Sequence, residues 1–204
     1  EETLDIINEL DLKTVLVETK DKEGRLPSVY IDNIEATYEA TKHLLDKGIK
    51  NIAFIGVDKS SANAWGDRYI GYEKALNEAG IPVDEDLVYF EGLKVKSGYV
   101  ASEKFLASGK NFDGIICASD EIAMGAINGL REKGVNTPED VSVIGFNDNV
   151  VASYFYPKLT TVKQPSYDMG SVAMRMLIKI LNNKPLEEAE FILNHELIER
   201  ESCK

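Results

Sequence analysis

Three stretches of the chain close an amphipathic run in the same way. LLDKGI (44–49), LNEAGI (76–81) and LREKGV (130–135) each put glycine after the last periodic apolar position and follow it with isoleucine or valine. Glycine takes the left-handed conformation that ends a helix, and the next apolar side chain packs back on the last turn. Apolar runs with no polar alternation follow the first and the third of these, NIAFIGV (51–57) and VSVIGF (141–146), and another, FDGIICA (112–118), precedes the third helix. Such runs suit strands buried on both faces, as in parallel sheets flanked by helices. Alternating strands and helices then give an α/β fold. The pattern predicts helices over 1–10, 34–47, 66–79, near 97–108, 120–133 and 167–181. Strands are predicted over 14–18, 28–31, 51–57, 86–91, 113–118, 141–146, 159–163 and 191–200. Arg25-Leu26-Pro27 breaks the chain ahead of 28–31, and a loop covers 58–65. The last helix carries Met169, Val172, Met176, Leu177, Ile180 and Leu181 on one face, and Asn182-Asn183-Lys184-Pro185 stops it.

Several strand patterns end abruptly in hydrogen-bonding side chains. Asn147 and Asp148 follow VSVIGF, Ser119 and Asp120 follow FDGIICA, and Asp32 and Asn33 follow SVYI. In open α/β sheets the ligand crevice lies beyond the carboxyl ends of the strands. The same residue types also cap helices and form turns. For Asp120, at a helix start, the cap reading has the better claim. Asn147 has no helix predicted directly after it, and there the ligand reading leads. Arg68 stands four residues before Tyr72 on the inward stripe of its helix, with Ala75, Leu76 and Ala79. An inward cation needs a partner, and two are open: a carboxylate, or ligand oxygens gripped by the guanidinium fork. Asn, Arg and Ser together suit a polyhydroxylated ligand such as a sugar, whose hydroxyls donate and accept. Trp65 is either ordinary packing or an apolar wall for that ligand.

Composition narrows the partners. The 204 residues suffice for one large or two small domains with a real core. With 23 basic against 35 acidic residues the net charge is −12. Clustered Lys and Arg are needed to replace phosphate counterions, so these residues are not expected to grip nucleic acid themselves. The two cysteines, Cys117 and Cys203, suggest a reducing compartment rather than a disulfide framework. No run approaches a membrane span, and no secretory core appears. Phosphate-loop, dinucleotide and nucleophile-elbow motifs are missing, and His43 and His195 have no neighbours at metal-ligand spacing. A non-enzymatic, cofactor-free and metal-free protein is therefore expected. The sequence opens on Glu1-Glu2 and runs straight into a helix pattern, which reads as part of a longer chain.

Several blocks, in order, resemble LacI/GalR-type transcription regulators. They are VYIDNIEATYEATKHLLDKGIKNIAFIG, DRYIGYEKALNEAGI, FDGIICASDEIAMGAINGLREKGVNTPEDVSVIGFND, PKLTTVKQPSYDMGSVAM and the closing LIERES. The resemblance covers roughly the whole chain. It implies two doubly wound parallel-sheet subdomains, periplasmic-binding-protein-like, with three crossovers near 32, 163–165 and 194. A partial N-terminal subdomain would comprise 1–31 plus 165–193, and the C-terminal subdomain 33–163 plus 195–204. The helix-turn-helix domain of the family is absent from this chain. Operator DNA would thus be bound only through that missing domain. The resemblance further implies a cytoplasmic homodimer, with no membrane partner, that responds to a sugar or sugar phosphate. For the site it carries over Arg68, in the R-x-x-G-[YF] block, and Ser119, ahead of D-E-x-A. It also carries over Asn147, after the GF of the late strand, where many members have Asp. Leu93 occupies a position that is often aromatic, a departure that leaves Trp65 as the stacking ring. Glu18 falls near a family acidic position, and the YFYP turn (154–157) in a region of the family's dimer interface. The alternative is an extracellular sugar-binding protein of an uptake system. An enzyme on a doubly wound fold is the weakest reading.

Overall fold

The computed structural model describes residues 2–21, 23–58, 60 and 63–204. Position 1 of the expected first helix, and positions 59, 61 and 62 of the expected loop 58–65, lie outside the described residues. The chain divides into two compact units, Glu1–Asp32 with Pro165–His195, and Asn33–Gln164 with Glu196–Lys204.

The smaller unit opens with α1 (Glu2–Glu9) and holds a three-stranded parallel sheet in the order β1-β2-β8. These strands are β1 (Leu16–Val17), β2 (Ser28–Ile31) and β8 (Glu190–Leu193), with Ser28 beside Glu190 and Ile31 beside Leu193. The central β2 is buried along its whole length, whereas Phe191 and Ile192 of β8 are exposed. Helix α6 (Ser166–Leu181) packs on β1 and β2, with Met169, Val172, Ala173 and Met176 buried.

The larger unit is a six-stranded sheet in the order β4-β3-β5-β6-β7-β9. It comprises β3 (Ile52–Ile55), β4 (Val88–Tyr89), β5 (Gly114–Cys117), β6 (Ser142–Asn147), β7 (Thr160–Lys163) and β9 (Glu196–Ile198). All pairings are parallel except β7 with β9, where Thr161 faces Ile198 and Lys163 faces Glu196. Strands β3 and β5 are buried at every position, and β6 at all but Asn147, so the unbroken apolar runs do sit in the middle of a sheet. Four helices complete the unit: α2 (Asn33–Asp46), α3 (Ala64–Glu78), α4 (Val95–Ala107) and α5 (Asp120–Glu132). They pack as two pairs, α2 on α3 and α4 on α5.

The helix-stop signals behave as their chemistry requires. Gly48, Gly80 and Gly134 have φ of 84°, 71° and 77°. The N–H groups of the following Ile49, Ile81 and Val135 donate to the carbonyls of Leu44, Leu76 and Leu130, at 3.1, 2.9 and 3.0 Å.

Three strands differ from the sequence pattern. The run 191–200 is two strands in two sheets, because the chain passes from the smaller unit to the larger at Asn194-His195. The run 86–91 is reduced to the two residues of β4. A 3-10 turn, Glu85–Leu87, precedes it, capped by Asp84, whose carboxylate accepts the Asp86 N–H at 3.1 Å. Strand β1 stops at Val17, since Glu18 turns to φ 61°.

Candidate functional site

Helix α3 begins where Asn63 accepts the N–H groups of Trp65 (3.0 Å) and Gly66 (3.3 Å). That cap fixes the first turn and aims Arg68 into the larger unit, where it is only 1% exposed. Its Nε donates to Asn33 Oδ1 at 2.9 Å, and its Nη1 to the Ala118 carbonyl at 2.6 Å. The guanidinium carbon lies 3.7 Å from the centre of the Phe146 ring and 4.4 Å from that of Trp65. Arg68 is thus a planar cation held between two ring faces. It links the start of α2, the residue after β5, the end of β6 and the start of α3. The carboxyl ends of β5 and β6 supply two of these partners, as expected for a ligand crevice in such a sheet.

Ser119 and Asn147 each adjoin a residue that Arg68 touches. Ser119 is the cap of α5: its Oγ accepts the Ile122 N–H at 3.3 Å, which leaves the hydroxyl proton to point elsewhere. Asn147 ends β6 at φ 110°, a conformation rare outside glycine. Its Oδ1 accepts from Gln164 Nε2 at 3.1 Å, and its amide also carries N–H donors. Trp65 is half-buried against Arg68. Leu93 is half-buried in the turn ahead of α4. Glu18 belongs to the smaller unit, exposed just past β1. Arg68 and Trp65 are in contact, and Ser119 and Asn147 follow in the chain directly after Ala118 and Phe146, the residues that Arg68 touches at the carboxyl ends of β5 and β6. Asn33, a strand-end polar residue outside the set carried over from the resemblance, and Phe146, which the sequence reading did not mark, complete the surroundings of Arg68. The signal for Asn33 was its place after SVYI. The signal for Phe146 was its place at the carboxyl end of a buried strand.

Asp120 corrects the sequence reading. It is not the helix cap, because Ser119 has that place. Its side chain is 0% exposed and holds a loop instead. Its Oδ1 accepts from Thr161 Oγ1 at 2.5 Å, and its Oδ2 from the Asn149 N–H at 2.6 Å. Burial pushes this carboxyl up to about 6, against the pull of the two hydrogen bonds; Asp148 adds to the rise and Arg200 opposes it. The raised value means the folded protein holds this proton more tightly than the unfolded chain does. Asp120 therefore costs stability as pH rises from about 4 to about 6, by about 2–3 kcal/mol. Denaturation of the wild type and Asp120→Asn across that window should show the wild type losing ground to the variant by this amount. Parallel curves would contradict the assignment.

The assembled groups are hydrogen-bond donors, acceptors and ring faces. Among the described residues no group of three or more His, Cys, Asp or Glu could hold a metal ion. No helix among them is long and apolar enough to cross a membrane.

Comparison with known proteins agrees with this architecture. Residues 41–203 match the family described as periplasmic binding protein-like domain. The HTH-type transcriptional regulator RegA of Clostridium saccharobutylicum is 65% identical over 202 residues, covering 99% of this chain and 61% of the relative. The structure of transcription regulator CcpA of Lactococcus lactis superposes with a TM-score of 0.91 at 35% identity, covering 100% of this chain and 74% of that one. The complex of transcriptional regulator CelR with cellobiose gives 0.90 at 31% identity, covering 98% of this chain and 61% of that one. The chain spans about three fifths of the length of the curated relatives it matches. It belongs to the periplasmic binding protein-like domain family, in the form found in LacI/GalR-type transcription regulators.

Proposed function

We propose that this chain is the effector-binding and dimerisation core of a cytoplasmic DNA-binding transcription regulator, and that its effector is a sugar or sugar derivative. The observation that carries the reading is Arg68. A buried guanidinium stacked between Trp65 and Phe146, with Ser119 and Asn147 alongside, is a donor-rich site with ring walls. Hydroxyls and phosphate oxygens are the acceptors such a site recognises. That a relative of the same architecture is known in complex with cellobiose supports a sugar. That the relatives are transcription regulators favours this reading over an extracellular uptake protein and over an enzyme.

The crossovers fall near 32, 163–165 and 194, and the division of the chain into two compact units supports that placement. Further residues of a longer chain would complete the N-terminal subdomain. The exposed apolar side chains Ile6, Leu10, Leu12, Phe191 and Ile192 support this. Operator DNA is bound by a domain outside this chain, consistent with the net charge of −12. A homodimer surface includes Val150, Val151, Tyr154 and Tyr156, all strongly exposed on the turn after β6. The effector acts through its differential affinity for two arrangements of the protein.

Calorimetric titration of the full-length protein with glucose, cellobiose and glucose 6-phosphate tests the proposal. At least one should bind with saturable heat. Asn147→Ala should weaken that binding at least about tenfold, the effect of losing one ligand hydrogen bond. Absence of binding by the whole panel, or an Asn147→Ala affinity equal to wild type, would count against the site. Sedimentation of a Tyr154→Glu, Tyr156→Glu double variant should show monomer where the wild type is a dimer. A variant that stays dimeric removes the turn from the interface.

A further inference from the structure

The strand VSVIGF meets its polar cluster through a backbone that L-residues resist. Asn147 has φ 110° and Asp148 φ 54°, two successive non-glycine residues at positive φ. Such conformations persist only where the surroundings over-determine them. Here three elements do so. Asp120, the first residue of α5, takes the Asn149 N–H on Oδ2 (2.6 Å). Its Oδ1 takes the Thr161 hydroxyl of β7 (2.5 Å). The Asp148 N–H in turn donates to Thr161 Oγ1 at 3.4 Å. The Asp148 carboxylate receives Arg200 Nη2 at 2.7 Å, while Arg200 Nη1 donates to the Leu159 carbonyl at 2.8 Å. The loop 147–149 is thus tied to α5, to β7 and to the residues after β9. Strand β6 makes room for the arrangement. A Cβ on Gly145 would stand 2.5 Å from Asp120 Oδ1, so only glycine lets the carboxylate lie against the strand.

We propose that Asp120 is a positioning residue of the effector site: by holding the Asn149 amide and the Thr161 hydroxyl, its carboxylate sets the strained backbone that presents Asn147. Asp120 acts through Asn147 and does not itself touch the effector. The proposal rests on Asn147 being a ligand residue, as read above. A buried acid with two committed acceptor oxygens at a strand end is otherwise an expensive way to anchor a loop. Its position one residue behind Ser119 couples the ends of β5 and β6, the two strands that feed Arg68.

The test is a double-mutant cycle in the full-length protein, with cellobiose and glucose 6-phosphate as probes and affinity as the readout. Asp120→Ala should weaken the bound probe at least about tenfold, and Asp120→Asn, which keeps one acceptor and gains a donor toward Thr161, by less than about threefold. In the Asn147→Ala background Asp120→Ala should have no further effect, which a general loss of packing would not give. Additive losses, or Asp120→Ala binding as tightly as wild type while Asn147→Ala is weakened, would overturn the proposal. If instead Asn147→Ala leaves affinity unchanged, it is the ligand reading of Asn147 that fails. Amide hydrogen exchange decides the matter without a probe. The Asn149 N–H should exchange at least about tenfold faster in Asp120→Ala and near the wild-type rate in Asp120→Asn. Equal protection in wild type and Asp120→Ala would show that the carboxylate does not hold the loop.

Discussion

Alanine at Gly125 should break the larger unit. Helices α4 and α5 meet backbone to backbone, and a Cβ on Gly125 would stand 1.9 Å from the Val95 carbonyl oxygen and 2.8 Å from its carbon. On the facing helix, a Cβ on Gly98 would stand 1.9 Å from the Ile122 carbonyl oxygen. These neighbours are main-chain atoms within helices, so no rotamer change relieves the clash. The helices must separate, and the interior packing of α5, which buries Ile122, Ala126, Ile127 and Leu130 completely or nearly so, goes with them. Overpacking a core commonly costs about 1–3 kcal/mol, and a clash against fixed backbone lies at or beyond the upper end. We expect more than about 3 kcal/mol for Gly125→Ala and for Gly98→Ala, measured by urea denaturation. Trp65, the only tryptophan, reports on the larger unit. The control is Gly170→Ala in α6 of the smaller unit, followed by far-ultraviolet circular dichroism because Trp65 lies in the other unit; nothing lies within 4 Å of the added methyl. There alanine should stabilise the helix by about 0.5–1 kcal/mol. A Gly125→Ala protein with the wild-type midpoint would show that the helix pair tolerates a wider spacing.

The glycines that end helices were legible in the sequence, and those that join helices were not. Gly48, Gly80 and Gly134 announce themselves by following an apolar-periodic run and preceding an apolar residue, a purely local pattern. Gly98, Gly125 and Gly129 sit inside helical patterns, where glycine alone signals only a weak position. Their purpose depends on which helix lies opposite. The central strands were legible because a run buried on both faces carries no polar alternation. The short edge strands β1 and β4 were read too long, since edge pairing and turn geometry decide their ends. The closing run 191–200 looked like one strand because strand propensity is blind to which sheet each half joins.

The surroundings of Arg68 in the candidate site were legible only in part. Strand-end polar residues pointed to Asn147, Ser119 and Asn33, and helix periodicity turned Arg68 inward. The partners of Arg68 lie 35 residues away at Asn33 and 50 away at Ala118, and no local pattern links them. The Asp120 reading missed by one residue. A helix that begins at 120 has its cap at 119, so the capping hydroxyl belongs to Ser119 and the carboxylate is released for another task. What that task is could only be seen once β7 and the turn after β6 were placed beside it.

Replacing Arg68 by lysine should be no gentler than replacing it by methionine, although lysine keeps the charge. Two features of the site make the difference. The first is shape: a flat guanidinium fills the slot between Phe146 and Trp65, 3.7 and 4.4 Å from their centres, and a tetrahedral ammonium does not. The second is hydration. The Arg68 side chain is 1% exposed, and an ammonium there surrenders its water for acceptors spaced to suit a fork, Asn33 Oδ1 and the Ala118 carbonyl. Methionine also loses both hydrogen bonds, but it buries no charge, and its sulfur packs well against aromatic rings. Hydrogen bonds from charged donors are worth about 1.5–3 kcal/mol each. Loss of the pair sets the expected destabilisation at about 4 kcal/mol for either variant. Far-ultraviolet circular dichroism through urea denaturation is the suitable measure, because Trp65 fluorescence changes when its stacking partner is altered. If Arg68→Lys unfolds with the wild-type midpoint while Arg68→Met does not, charge alone holds the site together and the stacked-fork account of Arg68 is wrong.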